Sequence, residues 1–182
     1  MLRRQKYKQY EIGGFTMIEL LVVIAMVGTI AAIAAPSWQG LLDRQRMNAA
    51  RNDLIGLLRN AQDEAQARQQ SKQITFLPYS ASTPLSVMVR NASSSAPGVI
   101  TQLGKGEVGK KFRLSASTPT ITFDYDGRVD VTTVTTPYII KITNSEAPAS
   151  SSPPQSCVIV TTILGGLKPA NDDSCDNFDP QP

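Results

Sequence analysis

The sequence predicts an α+β chain: one long N-terminal helix, apolar in its first half, with an antiparallel β-sheet head packed against its second half. Three observations carry this expectation. Residues 15–35 form an apolar run of 21 residues with Glu19 inside it. Residues 38–70 repeat apolar side chains at spacings of three and four, the period of one helix face. From Gln73 onward short β-type runs follow one another, separated by turn residues and without any helical pattern.

The chain opens on a basic head. Arg3, Arg4, Lys6 and Lys8 against Glu11 account for the whole net charge of +3 among 182 residues and leave the rest neutral. The charge is thus a property of the N-terminus and not of a nucleic-acid-binding face. The run at 15–35 matches the ~20 residues with which a helix crosses a bilayer. The basic flank predicts a cytoplasmic N-terminus and an exported remainder. The competing reading is an ordinary secretory signal, cut after the small residues Ala32-Ile33-Ala34. The long basic head and Glu19 stand against it. A carboxylate inside the run costs about 2.5–3.5 kcal/mol on insertion, and an acid kept at that cost implies a partner.

Gly13-Gly14-Phe15-Thr16-Met17-Ile18-Glu19-Leu20-Leu21 resembles the class III signal of type IV pilins and type II secretion pseudopilins. The resemblance implies the type IV pilin fold, cleavage between Gly14 and Phe15 by the prepilin peptidase, and N-methylation of Phe15. It also implies that Glu19 pairs with a Phe15 ammonium during assembly. Charge physics agrees with that role, since a buried carboxylate and ammonium offset each other's desolvation only as a pair. The expected organisation is a cleaved leader at 1–14, a transmembrane and filament-core helix at 15–37, and a soluble head at 38–182. Gly28 and Pro36 match a glycine and a proline that, in this family, bound a segment able to melt in the filament. Pro36 lacks an N–H and its ring clashes with the carbonyl of Ala32, so a kink or break is expected there.

Within the head, the amphipathic helix at 38–70 should bury Leu42, Met47, Ala50, Leu54, Leu57, Leu58, Ala61 and Ala65. Its interleaved arginines and acids read as a solvated face. Strands are expected at 74–79, 86–90, 99–103, 111–115, 120–125, 128–134, 138–143 and 157–164. With no helices between them they should form one antiparallel sheet over 73–164, one face on the helix. Asp126-Gly127 is a two-residue hairpin signal. Residues 147–155 read as a loop, and 157–182 as a C-terminal tail closed by a disulfide.

The chain has no histidine, which removes His-based triads and His-ligated metals, and its two cysteines exclude four-cysteine sites. No nucleophile motif or phosphate loop is present, so no enzyme, cofactor or metal site is expected. Asp124, Asp126 and Asp130 lack the remaining ligands of an EF-hand loop and read as a turn. Asp172, Asp173, Asp176 and Asp179 read as a solvated acidic tail, with calcium the competing reading. Export places Cys157 and Cys175 in an oxidising compartment, where they should pair and contribute about 3 kcal/mol.

Residues 121–128, 157–165 and 57–65 are similar to the H-type group of pseudopilins and minor pilins, the GspH-, FimT- and FimU-like proteins. That resemblance implies a structural minor pilin or pseudopilin that joins, and helps prime or cap, a type IV pilus or a type II secretion pseudopilus. The partners it implies are other pilins, the prepilin peptidase, the inner-membrane assembly platform and, before assembly, the membrane itself. A single pass through the inner membrane, head outside the cytoplasm, precedes the filament. The alternative is a DNA-binding minor pilin acting in natural transformation. Lys105, Lys110, Lys111 and Arg113 are its candidate phosphate contacts, but a basic C-terminal motif is missing: Lys168 stands alone before four aspartates.

Overall fold

A computed structural model describes residues 14–78, 84–104, 111–145 and 154–176, the side chains of 33–37 and 39 excepted. The leader up to residue 13, Lys105, Lys110 and Asp179 lie outside the described residues. The chain divides into two compact units, 1–41 and 42–182.

Helix α1, Met17–Arg68, belongs to both units. Thr16 starts it: its hydroxyl accepts the Glu19 N–H at 3.3 Å and its carbonyl accepts the Leu20 N–H at 3.2 Å. This is the first half of a capping box, with Glu19 at its third position. The helix ends where Gln69 turns to a positive φ of 50° and the Gln70 N–H closes on the Ala65 carbonyl at 3.1 Å. The helical backbone continues through Gly28 and Pro36, so the expected break at Pro36 is absent from the chain by itself. Proline removes one ladder bond, and that loss is local against a helix of 52 residues.

In the second unit the three-and-four spacing does what it predicts. Met47, Ala50, Leu54, Leu58, Ala61 and Ala65 are buried, while Leu42 and Leu57 are half-buried. Among the described residues eight strands follow: β1 Lys72–Phe76, β2 Ser86–Asn91, β3 Val99–Gln102, β4 Phe112–Ala116, β5 Thr120–Phe123, β6 Tyr138–Asn144, β7 Gln155–Val160 and β8 Leu167–Asn171. The strands are antiparallel as expected, but instead of one sheet they form two of four strands each, ordered β3-β2-β1-β5 and β4-β6-β7-β8. Alternation fixes which face of a strand is apolar but not which strand lies beside it. Here β5 leaves β4 and pairs with β1, Ile121 opposite Ile74. Both sheets contribute to one core with the helix: Ile74, Val87 and Phe123 from the first, Phe112, Ile140 and Val158 from the second. Phe76 and Tyr138 stack across the two with ring centroids 6.3 Å apart, and the buried Tyr138 hydroxyl donates to the Thr118 carbonyl.

Two strand assignments need correction. Residues 128–134 pair only through an isolated bridge, Phe123 with Val129. The Asp126-Gly127 turn forms, Gly127 N–H to Asp124 carbonyl at 2.7 Å, but Asp130 then ends the return leg. Its carboxylate accepts from the Thr132 N–H and hydroxyl, and its carbonyl from the Thr133 N–H, a local competitor to the ladder. The strand expected at 157–164 stops at Val160, and the polar tail expected after it holds β8. Pro169 hid that strand. Because β8 is an edge, the proline costs no pairing on its open side.

Candidate assembly site

The N-terminal unit presents its apolar surface to solvent. Phe15 is 80% exposed, Met17 85% and Ile18 67%, and every described large apolar side chain from there through Ile30 is exposed. Thr29 returns its hydroxyl to the Met26 carbonyl at 2.8 Å, so it adds no polarity to the surface. Glu19 is exposed in the first helical turn, where its charge suits the positive end of the helix dipole. Gly14 precedes the helix and is exposed. A Cβ on Gly28 would meet nothing within 4 Å, so packing inside the chain does not require a glycine there. Among the described residues no helix is long and apolar enough to cross a membrane; the described side chains of the apolar run end at Ala32.

The head is closed at its C-terminal end by the disulfide expected from the sequence and by a polar clamp that the sequence did not reveal. Cys157 in β7 and Cys175 in a 3-10 helix, Asp172–Cys175, form a disulfide, Cα atoms 5.9 Å apart. With Ile159, Ala170 and half-buried Ile139 it makes a second small core on the far face of the second sheet. The acids expected to be free in the tail are engaged. Asp176 accepts from Lys141 and Gln155, and Asp172 accepts from the Gln155 N–H at 3.1 Å and faces Arg44 at 3.9 Å. Arg51 reaches from the helix to the Asn171 side chain at 2.8 Å. Two glutamines pin the loops at the other end: Gln62 donates to the carbonyls of Gly127 and Leu164, and Gln66 to that of Asp126. Gly127 sits at φ 75° with no room for a Cβ under Gln66. Glutamines at i and i+4 on a polar helix face were the only sequence trace of this clamp.

The Lys141 ammonium and the Gln155 amide hold the Asp176 carboxyl below its usual range. A depressed folded pKa means stability that is complete above the unfolded value of 3.8 and is lost as pH falls through the folded one. Glu64 behaves alike beside Lys72, 2.6 Å away. Both carboxylates are exposed, so each contributes at most ~1 kcal/mol. We expect Asp176→Asn to flatten the acid limb of a stability-against-pH curve below pH 3.8 and to leave the unfolding free energy at pH 7 within ~1 kcal/mol of the parent. An unchanged acid limb would show that Asp176 does not contribute to it.

Of the four candidate nucleic-acid contacts, Lys111 and Arg113 lie among the described residues. Arg113 is exposed on the edge strand β4, Lys111 stands just before it, and both have partners. Asp124 accepts from the Ser71 hydroxyl and the Tyr125 N–H, the work of a turn. Among the described residues no group of three His, Cys, Asp or Glu side chains is placed to hold a metal ion.

No protein-family model matches the chain. Part of the chain is similar to type IV fimbrial sequences. It is 51% identical over 39 residues to the fimbrial protein EcpC of Eikenella corrodens, covering 21% of this chain and 26% of that one. It is 29% identical over 103 residues to a type IV major fimbrial protein FimA of Dichelobacter nodosus, covering 57% and 63%. The chain thus spans from about a quarter to about three fifths of the length of these curated relatives. In structure it is similar to the type IV minor pilin FimU of Pseudomonas aeruginosa, with a TM-score of 0.50 at 15% identity, covering 74% of this chain and 98% of FimU. The sequence and fold comparisons are independent and agree: part of the chain is similar to type IV fimbrial proteins, and its α+β fold is that of a type IV minor pilin.

Proposed function

We propose that the chain is a structural minor subunit of a type IV pilus. One observation supports this above the rest: directly after Gly14, the apolar side chains from Phe15 to Ile30 have no cover among the described residues, with Glu19 in the first turn of the helix. Apolar surface on that scale needs an apolar surround. On this reading, residues 15–37 lie in the inner membrane before assembly and in the filament core after it, with the head outside the cytoplasm. The prepilin peptidase cuts between Gly14 and Phe15, and Phe15 is N-methylated. The assembly platform then passes the subunit to the other pilins, whose helices cover its own. Gly28 and Pro36 bound the stretch that melts in the filament. Pilus is preferred to secretion pseudopilus because the similar proteins are fimbrial, and among fimbrial proteins a minor subunit that primes or caps is preferred because the head resembles FimU. The role needs neither catalysis nor a cofactor.

N-terminal sequencing of the mature protein tests the reading. The first residue should be Phe15, methylated, with the mature chain recovered from sheared pili together with the major subunit. A first residue at Ala35, or a mature chain absent from the pili, would overturn it.

A further inference from the structure

Strand β3 closes one side of the first sheet, and no strand lies beyond it among the described residues. Its register says which backbone groups are free. The Leu103 N–H donates to the Leu85 carbonyl at 2.8 Å, and on the other side of β2 the Leu77 N–H donates to the Ser86 carbonyl at 3.3 Å. By antiparallel alternation Val87 and Val89 bond towards β3, so Val99 and Thr101 are spent on β2. Ile100 and Gln102 therefore point their N–H and C=O groups outward.

The same strand leaves apolar surface unmet. Val99 pairs with Val89 and shares its helix-facing side, yet Val99 is 71% exposed and Ile100 60%. Beneath Val99 runs a groove of about 300 Å³ between helix and sheet, lined by Leu57, Ala61 and Val89, with the Glu64–Lys72 ion pair in its wall. That pair is mutually satisfied, so the groove favours a neutral side chain. The Gly104 N–H donates to the Asp53 carboxylate at 3.0 Å and fixes the end of the strand to the helix.

The three other sheet edges are guarded. β8 carries Lys168 and Pro169, β4 carries Arg113, and β5 is occupied by the Phe123–Val129 bridge. β3, Val-Ile-Thr-Gln, has no charge and no proline.

We infer that the outer edge of β3 is a strand-addition site that takes an extended, uncharged segment of another polypeptide, with an aliphatic side chain at its inward position. A helix or a small apolar ligand would fill the groove and leave the Ile100 and Gln102 bonds unmade. An added strand meets both demands, its backbone on β3 and its side chain against Leu57. The inference stands on the head and is independent of the filament reading.

The test uses the full chain in detergent micelles and, as probe, a capped peptide of alternating valine and threonine with lysines at its ends. Saturable binding should shift the amide resonances of Ile100 and Gln102 and protect both from hydrogen exchange. Ile100→Pro should weaken binding at least ~10-fold with an unchanged thermal midpoint, because the lost N–H points away from β2. Should that variant unfold, Val99→Asp, which charges the groove at an exposed position, must show the same loss. Absence of saturable binding, or equal affinity in a folded variant, overturns the inference. Shifts at Ile100 and Gln102 that follow protein concentration without peptide overturn it too, since they make the occupant a second copy.

Discussion

Replacing both Cys157 and Cys175 by alanine should lower the stability of the head by about 3 kcal/mol, the chain-entropy value for a loop of this size. The two are eighteen residues apart, and both are fully buried. The competing candidates for holding the 3-10 helix are Lys141–Asp176, Gln155–Asp172 and Arg44–Asp172, and they are weaker. Each is solvent-exposed on at least one side and worth ~0–1 kcal/mol. Cross-link entropy therefore decides the result, and the small core of Ile159, Ala170 and Ile139 should loosen with it. At roughly 2–4 °C per kcal/mol for a domain of this size, the thermal midpoint should fall by about 6–12 °C. Amide exchange should rise first in β7 and β8, which carry the clamp, and not in β1. A midpoint within about 2 °C of the parent, on the same conversion, would mean that the polar clamp suffices and the bridge is incidental.

What was legible in the sequence follows from what each pattern encodes. The helix face was legible because burial every three or four residues needs only one partner surface, whatever its identity: Met47 to Ala65 are buried as spaced. The likeness to fimbrial proteins was legible because an acid such as Glu19 inside an apolar run is costly and therefore informative. Strand neighbours were not legible. Nothing local to Thr120–Phe123 says that it pairs with Lys72–Phe76 instead of with β4, because side-chain alternation has the same period for every partner. Residues 128–134 misled for a different reason. Their β-branched composition favours a strand, but the carboxylate and the main-chain carbonyl of Asp130 capture the N–H groups of residues 132–134 that a ladder would use. β8 was masked by a proline that only an edge position tolerates, and edges are a property of the sheet order. The clamp of Arg51, Gln62 and Gln66 joins residues 60 to 120 positions apart. Their spacing on the helix reads as an ordinary polar face.

Glu19→Ala should leave the protein in the membrane and remove it from complexes with other pilins. The place of Glu19 in the chain alone and its proposed place in a filament predict different effects. In the chain alone Glu19 is exposed in the first turn, and its N–H, not its side chain, is held by Thr16. Losing the carboxylate there forfeits only its interaction with the helix dipole, ~0.3–1 kcal/mol, and the Thr16 cap persists. In the proposed filament the carboxylate answers a Phe15 ammonium inside an apolar core, and removing one partner of a buried pair costs about 3–5 kcal/mol. The second figure corresponds to a hundredfold or greater loss of association, so assembly and not folding should register the change. Glu19→Gln discriminates further: it keeps size and hydrogen bonding but loses charge, and should fail like alanine if charge pairing is the cause. Thr16→Ala is the converse control, since it removes the cap at a cost of ~1 kcal/mol and should still co-purify with other pilins. A subunit at the very tip has no neighbour above it and lacks one side of the pairing, so its defect should be smaller but of the same sign. The measurement is co-purification from solubilised membranes beside a fractionation control. Equal recovery of parent and Glu19→Ala, at equal membrane levels, would leave Glu19 as a helix-start residue and nothing more.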